Sequence, residues 1–224
     1  MAEPASRRRR TAVLISGRGS NLEALIAHCA APAASAEIAL VVSNEPAAAG
    51  LAHPRAAGIP AAVIDHRRHP SRESFEAEIE AALKNHSIEI VCLAGFMRIL
   101  SSGFVARWRD RLLNIHPSLL PALRGLDTHR RALAAGLRFH GCTVHFLRAE
   151  LDAGPIILQG ALAVRADDTA DSLAARVLTL EHRCYPQALE LVAAGRVRVE
   201  DERVVVDGAA APEIMLINPL PEPG

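Results

Sequence analysis

A chain of 224 residues, half of them hydrophobic, is long enough for one domain with an ample core. Its 25 basic and 25 acidic side chains cancel, which gives no ground for a general attraction to nucleic acid or a membrane surface. Aromatic residues make up 3 %, and no apolar run approaches the ~20 residues that cross a bilayer.

The N-terminal stretch MAEPASRRRR lacks the apolar segment of a secretory signal and is expected to be a disordered Arg-rich tail over 1–10. TAVLIS (11–16) reads as a buried strand, LEALIAHCA as a helix, and EIALVVSN (37–44) as a second strand. Strand, glycine loop, helix and strand make a βαβ unit, so the sheet starts parallel. A short helix fits before strand AAVID (61–65), and SRESFEAEIEAALKNH (71–86) is amphipathic, with Ser71 as its cap. Strands at IEIVCLAG (88–95) and RLLNIHP (111–117) follow, then a helix at GLDTHRRALAAG. CTVHFL (142–147) and IILQGALAV (156–164) flank a turn, as an antiparallel pair added to the sheet. A long helix over 169–195 contains Pro186, which implies a kink or a restart. A hairpin ends the 11–207 domain, and 208–224 is a Pro-rich tail expected to be poorly ordered. The fold class is α/β, a doubly wound and mostly parallel sheet with an antiparallel addition and a long C-terminal helix.

Three stretches carry candidate chemistry. GRGSN (17–21) lies between a strand and a helix, where free amides and the helix dipole receive a phosphate. It is also compatible with a purely structural tight turn. Leu22 stands where a dinucleotide fingerprint needs its third glycine, which leaves a single phosphate or a mononucleotide and disfavours an NAD-binding dehydrogenase.

In LLNIHP, side chains two apart share a face, so Asn114 and His116 point one way and Leu113 and Ile115 the other. Two donors on one face suit an oxyanion growing at an attacked carbonyl. Alternatively, His116 is a core histidine and Asn114 bonds to nearby backbone. Asp152 in ELDAGP is either a turn-former or a carboxylate that pairs with a histidine and favours its imidazolium. Thr143, His145, Glu181 and His182 are further polar residues in apolar surroundings.

Cys29, Cys92, Cys142 and Cys184 form no CxxC pair, and this spacing fits a reduced, cytoplasmic protein. Without CxxC or HExxH, and with two arginines inside HRRH (66–69), no metal is expected.

Taken together, VLISGRGSNLEALI, VCLAGFMRILS, RLLNIHPSLLPALRGLDTHRRAL, GCTVHFLRAELDAGPII and TLEHRCYPQAL resemble the phosphoribosylglycinamide formyltransferase family across about residues 11–200. The resemblance implies a Rossmann-like formyltransferase fold and transfer of a formyl group from the co-substrate 10-formyltetrahydrofolate to the amine of glycinamide ribonucleotide. It implies that Gly19, Ser20 and Asn21 hold the ribonucleotide phosphate and that Glu181 contacts the same substrate. Arg72, Met97, Arg98, Ile99, Leu100 and Asn114 would line the folate site. Asn114, His116 and Asp152 would be catalytic. On this reading the N-terminal part serves the ribonucleotide, and the central and C-terminal parts serve the folate.

Arg18 replaces a smaller polar residue of the family pattern, and Leu180 stands where a Gln is familiar. The alternatives are formyltetrahydrofolate deformylase, a hydrolase, and methionyl-tRNA formyltransferase. Both usually carry an extra domain for which this chain has no room. The sequence leaves the oligomeric state open.

Overall fold

The computed structural model describes residues 7–210, 213–214 and 216–219. Seven strands form one sheet: β1 (Arg9–Ile15), β2 (Ala36–Ser43), β3 (Ala61–Val63), β4 (Ile90–Leu93), β5 (Leu112–His116), β6 (Phe139–Phe146) and β7 (Ile156–Ala163). Their order is β3-β2-β1-β4-β5-β6-β7. The first five run parallel, and β6 and β7 are antiparallel additions at one side. Chain order reverses between β1 and β4, which is the switch point of a doubly wound sheet.

Alternation along each strand builds two cores. Val13, Ile15, Cys92, Leu113 and Ile115 point towards α1 (Ser20–Cys29), α5 (Thr128–Ala134) and α6 (Ala170–Ala193). Ala12, Leu14, Val91, Leu93 and Leu112 point towards α3 (Arg72–Asn85) and α4 (Ser102–Arg107). The short α2 (Ala52–Ala56) follows β2, and the hairpin β8 (Val197–Glu200) and β9 (Arg203–Val206) forms a second sheet. All four cysteines are free and buried. Among the described residues, no helix is long and apolar enough to cross a membrane.

The caps obey local chemistry. Ser71 accepts from the Ser74 amide at 3.2 Å while Ser74 Oγ accepts from the Ser71 amide at 3.3 Å, a reciprocal capping box. Thr169 and Ser172 do the same for α6, with Thr169 as its cap.

Several expectations need correction. Residues 7–10 are not a free tail, because β1 begins at Arg9. Arg7 and Arg9 pair with Glu89 at 3.0 and 2.8 Å, and Arg10 pairs with Glu37 at 2.8 Å. Arg8 donates to the carbonyls of Cys29 and Ala36. The remainder of the expected tail, residues 1–6, lies outside the described residues.

Pro186 neither ends nor restarts α6. The helix runs through it, with Val177, Tyr185 and Leu189 buried on either side. Helix α4 went unread because its six residues are too few for a periodic pattern; its one signal is the Ser101 cap, which accepts from the Phe104 amide at 3.2 Å. In the Pro-rich end, Asn218 donates to the carbonyls of Arg138 and Val164 at 2.6 and 2.9 Å. Residues 211–212, 215 and 220–224 of that segment lie outside the described residues.

Candidate active site

In an open α/β sheet, ligands meet the carboxyl ends of the strands beside the switch point. There β1 passes into the GRGSN loop. Gly19 sits in left-handed conformation at φ 75°, and a Cβ on it would come within 2.8 Å of Gly50 Cα. Glycine is therefore required on two counts, conformation and space. The first bond of α1 runs from the Glu23 amide to the Gly19 carbonyl at 2.9 Å, so the amides of Ser20, Asn21 and Leu22 have no intrahelical acceptor.

The Asn21 side chain turns inward and donates to Glu181 Oε2 at 2.7 Å, while its own Oδ1 is buried without a partner. Glu181 reaches this point from α6. Burial pushes its carboxyl above the ordinary range, and the Asn21 hydrogen bond offsets part of that. Gly19, Ser20, Asn21 and Glu181 thus come together, with the first-turn amides of α1 left without intrahelical acceptors.

The second group lies on β5. Leu113 and Ile115 face the α6 core, and Asn114 and His116 take the opposite face. The antiparallel register sets Asn114 directly across from His145 and His116 across from Thr143. Asn114 Nδ2 lies 3.3 Å from His145 Nε2, and His145 Nδ1 lies 3.0 Å from the Phe146 carbonyl. Burial holds His145 below the ordinary histidine range, with Asp152 pulling the other way and His116 adding to the lowering.

Asp152 arrives on the loop after β6. It has φ 49°, and Gly154 lets the loop return tightly, since a Cβ there would fall 1.6 Å from the Phe146 oxygen. Asp152 Oδ2 stands 3.4 Å from His116 Nδ1 and accepts from the Gly125 amide at 2.9 Å; its Oδ1 is 3.9 Å from His145 Nε2. His116 Nε2 lies 3.0 Å from the Leu123 carbonyl. Both His116 nitrogens therefore face acceptors, a pattern that two N–H groups of an imidazolium satisfy. Asn114, His116 and Asp152 are brought together, and all are largely shielded from solvent.

The remaining candidates divide. Met97 and Ile99 are 69 % and 70 % exposed, and Arg98 is exposed beside them. Leu126 and Leu151 are large exposed apolar residues on the loops that carry Gly125 and Asp152. Leu100, the last of that stretch, is buried in the α3/α4 core with Phe104 and anchors its loop there. Arg72 opens α3, is exposed, and among the described residues has no hydrogen bond or ion pair to the other candidates.

Sequence reasoning missed a polar chain across the switch point. The Met97 amide donates to Ser16 Oγ at 2.7 Å, and Ser16 Oγ donates to Asn44 Oδ1 at 2.5 Å. It also missed Thr143 as an anchor of the loop after β5. Thr143 Oγ1 accepts from the Leu120 amide at 3.0 Å and from Gln159 at 2.9 Å, and donates to the Ser118 carbonyl at 2.7 Å. A serine closing a strand before glycine, and a threonine in a greasy strand, were the available signals.

Known proteins share this sequence and fold. Residues 9–189 match the family described as formyl transferase. The chain is 52 % identical over 190 residues to the trifunctional purine biosynthetic protein adenosine-3 of Gallus gallus, covering 85 % of this chain and 19 % of that protein. It thus spans about a fifth of the length of the first curated relatives it matches. It is 44 % identical over 200 residues to phosphoribosylglycinamide formyltransferase of Escherichia coli K12, covering 89 % and 94 % of the two chains. The solved glycinamide ribonucleotide transformylase 1 of Symbiobacterium toebii superposes with TM-score 0.86 at 43 % identity, over 89 % of this chain and 94 % of that one. The Asn, His and Asp gathered beside β5 sit in a chain that belongs to the formyl transferase family.

Proposed function

We propose that this protein transfers a formyl group from 10-formyltetrahydrofolate to the amine of glycinamide ribonucleotide, a step of purine biosynthesis in the cytoplasm. The observation that carries the reading is the convergence of Asn114, His116 and Asp152 on one face of β5. Phosphate-ready amides stand at the neighbouring end of β1. The amides of Gly19, Ser20 and Asn21 take the ribonucleotide phosphate, and Glu181 takes its polar groups. Arg72, Met97, Arg98, Ile99 and Leu100 are assigned to the folate. The exposed apolar side chains of Met97 and Ile99 support this, since a flat heterocycle would cover them.

The amine attacks the formyl carbon directly, a C–N bond forms, and charge gathers on the formyl oxygen. Asn114 Nδ2–H and a His116 N–H donate to that oxygen. Asp152 steadies the imidazolium from the Nδ1 side, so Nε2 is the nitrogen that must exchange the Leu123 carbonyl for the formyl oxygen. As the intermediate collapses, the bond to the folate nitrogen breaks, and the amine's surplus proton ends on that nitrogen. The scheme requires neither a metal nor a covalent enzyme intermediate.

The test supplies purified protein with both substrates and follows the formylated ribonucleotide. Product that appears only with the ribonucleotide supports the transferase. Folate consumed equally fast without it makes the protein a deformylase.

A further inference from the structure

We propose that His145 is a positioning residue which, as the neutral Nδ1–H tautomer, fixes which end of the Asn114 amide faces the reacting carbonyl. The inference rests on the formyl-transfer reading of the site and concerns a residue that reading leaves without a role. A carbonyl oxygen can only accept, so the Phe146 oxygen at 3.0 Å requires the ring proton on Nδ1. Nε2 is left with a lone pair, and Asn114 Nδ2 at 3.3 Å donates to it. The amide has a second N–H that diverges from the first in the amide plane. With one N–H spent on His145, the other is the donor free for an oxyanion, and Oδ1 is turned away from the Nε2 side.

A proton on Nε2 would reverse this. The ring would become a donor on both sides, the amide would turn its Oδ1 to Nε2, and an oxygen lone pair would stand where Nδ2 had been. An acceptor there repels the oxyanion that a donor stabilises. Neutral His145 is thus a condition for Asn114 to function.

Three features hold the ring neutral. His145 is 1 % exposed, which disfavours charge. Of the charged groups that face it, Asp152 is nearer to His116 Nδ1 (3.4 Å) than to His145 Nε2 (3.9 Å) and also accepts from the Gly125 amide. The neighbouring His116 imidazole works against a second cation next door. Gly154 completes the lock, because any side chain there would strike the Phe146 oxygen that holds Nδ1–H. One carboxylate therefore stands between two imidazoles, closer to His116 than to His145.

The test compares His145→Gln, whose amide oxygen can accept from Asn114 but cannot titrate, with His145→Leu, which offers no acceptor. The leucine variant is expected to lose about a hundredfold in kcat, with KM for the formyl donor nearly unchanged. The glutamine variant should recover about tenfold or more over leucine. A leucine variant within about threefold of wild type overturns the proposal. So does a glutamine variant no better than leucine.

Should neither variant fold, nitrogen NMR of histidine-labelled wild-type protein decides: an Nε2–H tautomer or an imidazolium at His145 near neutral pH overturns it, and Nδ1–H upholds it. That measurement needs no turnover. Wild-type protein without ribonucleotide-dependent transfer would refute the function while leaving the tautomer lock open to its own test.

Discussion

The two ends of the sheet are built on opposite rules. At the amino end charges meet partners: Arg7 and Arg9 with Glu89, Arg10 with Glu37, Arg148 with Asp110 and Glu202. At the carboxyl end Asn21 Oδ1 is buried and unsatisfied, Asp152 and Leu123 have positive φ, and Met97, Ile99, Leu126 and Leu151 stand exposed. Satisfied polar groups fasten a fold, whereas unsatisfied ones and strained backbone persist where a ligand completes them. The conspicuous arginine run, which a reader of charge patterns would assign to nucleic acid, belongs to the fastened end.

Substitutions at the two ends should therefore separate activity from stability. The largest effect is expected for Asp152→Asn and His116→Ala, each lowering turnover about a hundredfold or more with the thermal transition kept. Near-normal turnover in either would erase the contrast. Gly19→Ala comes next. The added methyl meets Gly50 backbone at 2.8 Å in a left-handed residue, so the loop must shift. A rise of about tenfold in the ribonucleotide KM, with the folate KM little changed, is the expected signature.

A smaller effect concerns the His129–His140 pair, whose ring nitrogens lie 3.2 Å apart. Burial, helped by His129 and His116, pushes His140 down to about 4 from 6.5. Between those values the unfolded chain binds a proton that the folded chain refuses, so stability falls as pH drops from 6.5 towards 4. Melting temperature followed against pH should show that slope, and His140→Gln should flatten it. The smallest effect belongs to the arginine end. Arg9→Ala removes a half-exposed ion pair and should change stability by no more than about 1 kcal/mol, with kcat untouched; a large loss of activity would mean that the ends are coupled.

Much of this was legible in the chain itself. Alternation in LLNIHP placed Asn114 and His116 on one face because strand geometry has a period of two. ELDAGP announced a tight turn because aspartate and glycine tolerate the left-handed region, as Asp152 does. The pairing of Asn114 with His145 was not legible, since register between β5 and β6 is set by packing far along the chain. Nor was the Leu123 carbonyl on His116, a backbone group that no side-chain pattern advertises. Arg9 and Arg10 hid the start of β1 because charge there signals solvent, although partners wait on Glu89 and Glu37.

The Leu123 contact carries one more consequence. While that carbonyl occupies Nε2 and Asp152 faces Nδ1, His116 has no N–H left to polarise a formyl group. On the proposed chemistry, a formyl donor that reached the site in this state would be activated by Asn114 alone. Idle leakage of the one-carbon unit to water would then be restrained by the same contact that must be surrendered for productive transfer. The loop would keep the acid of the resting site occupied with its own backbone.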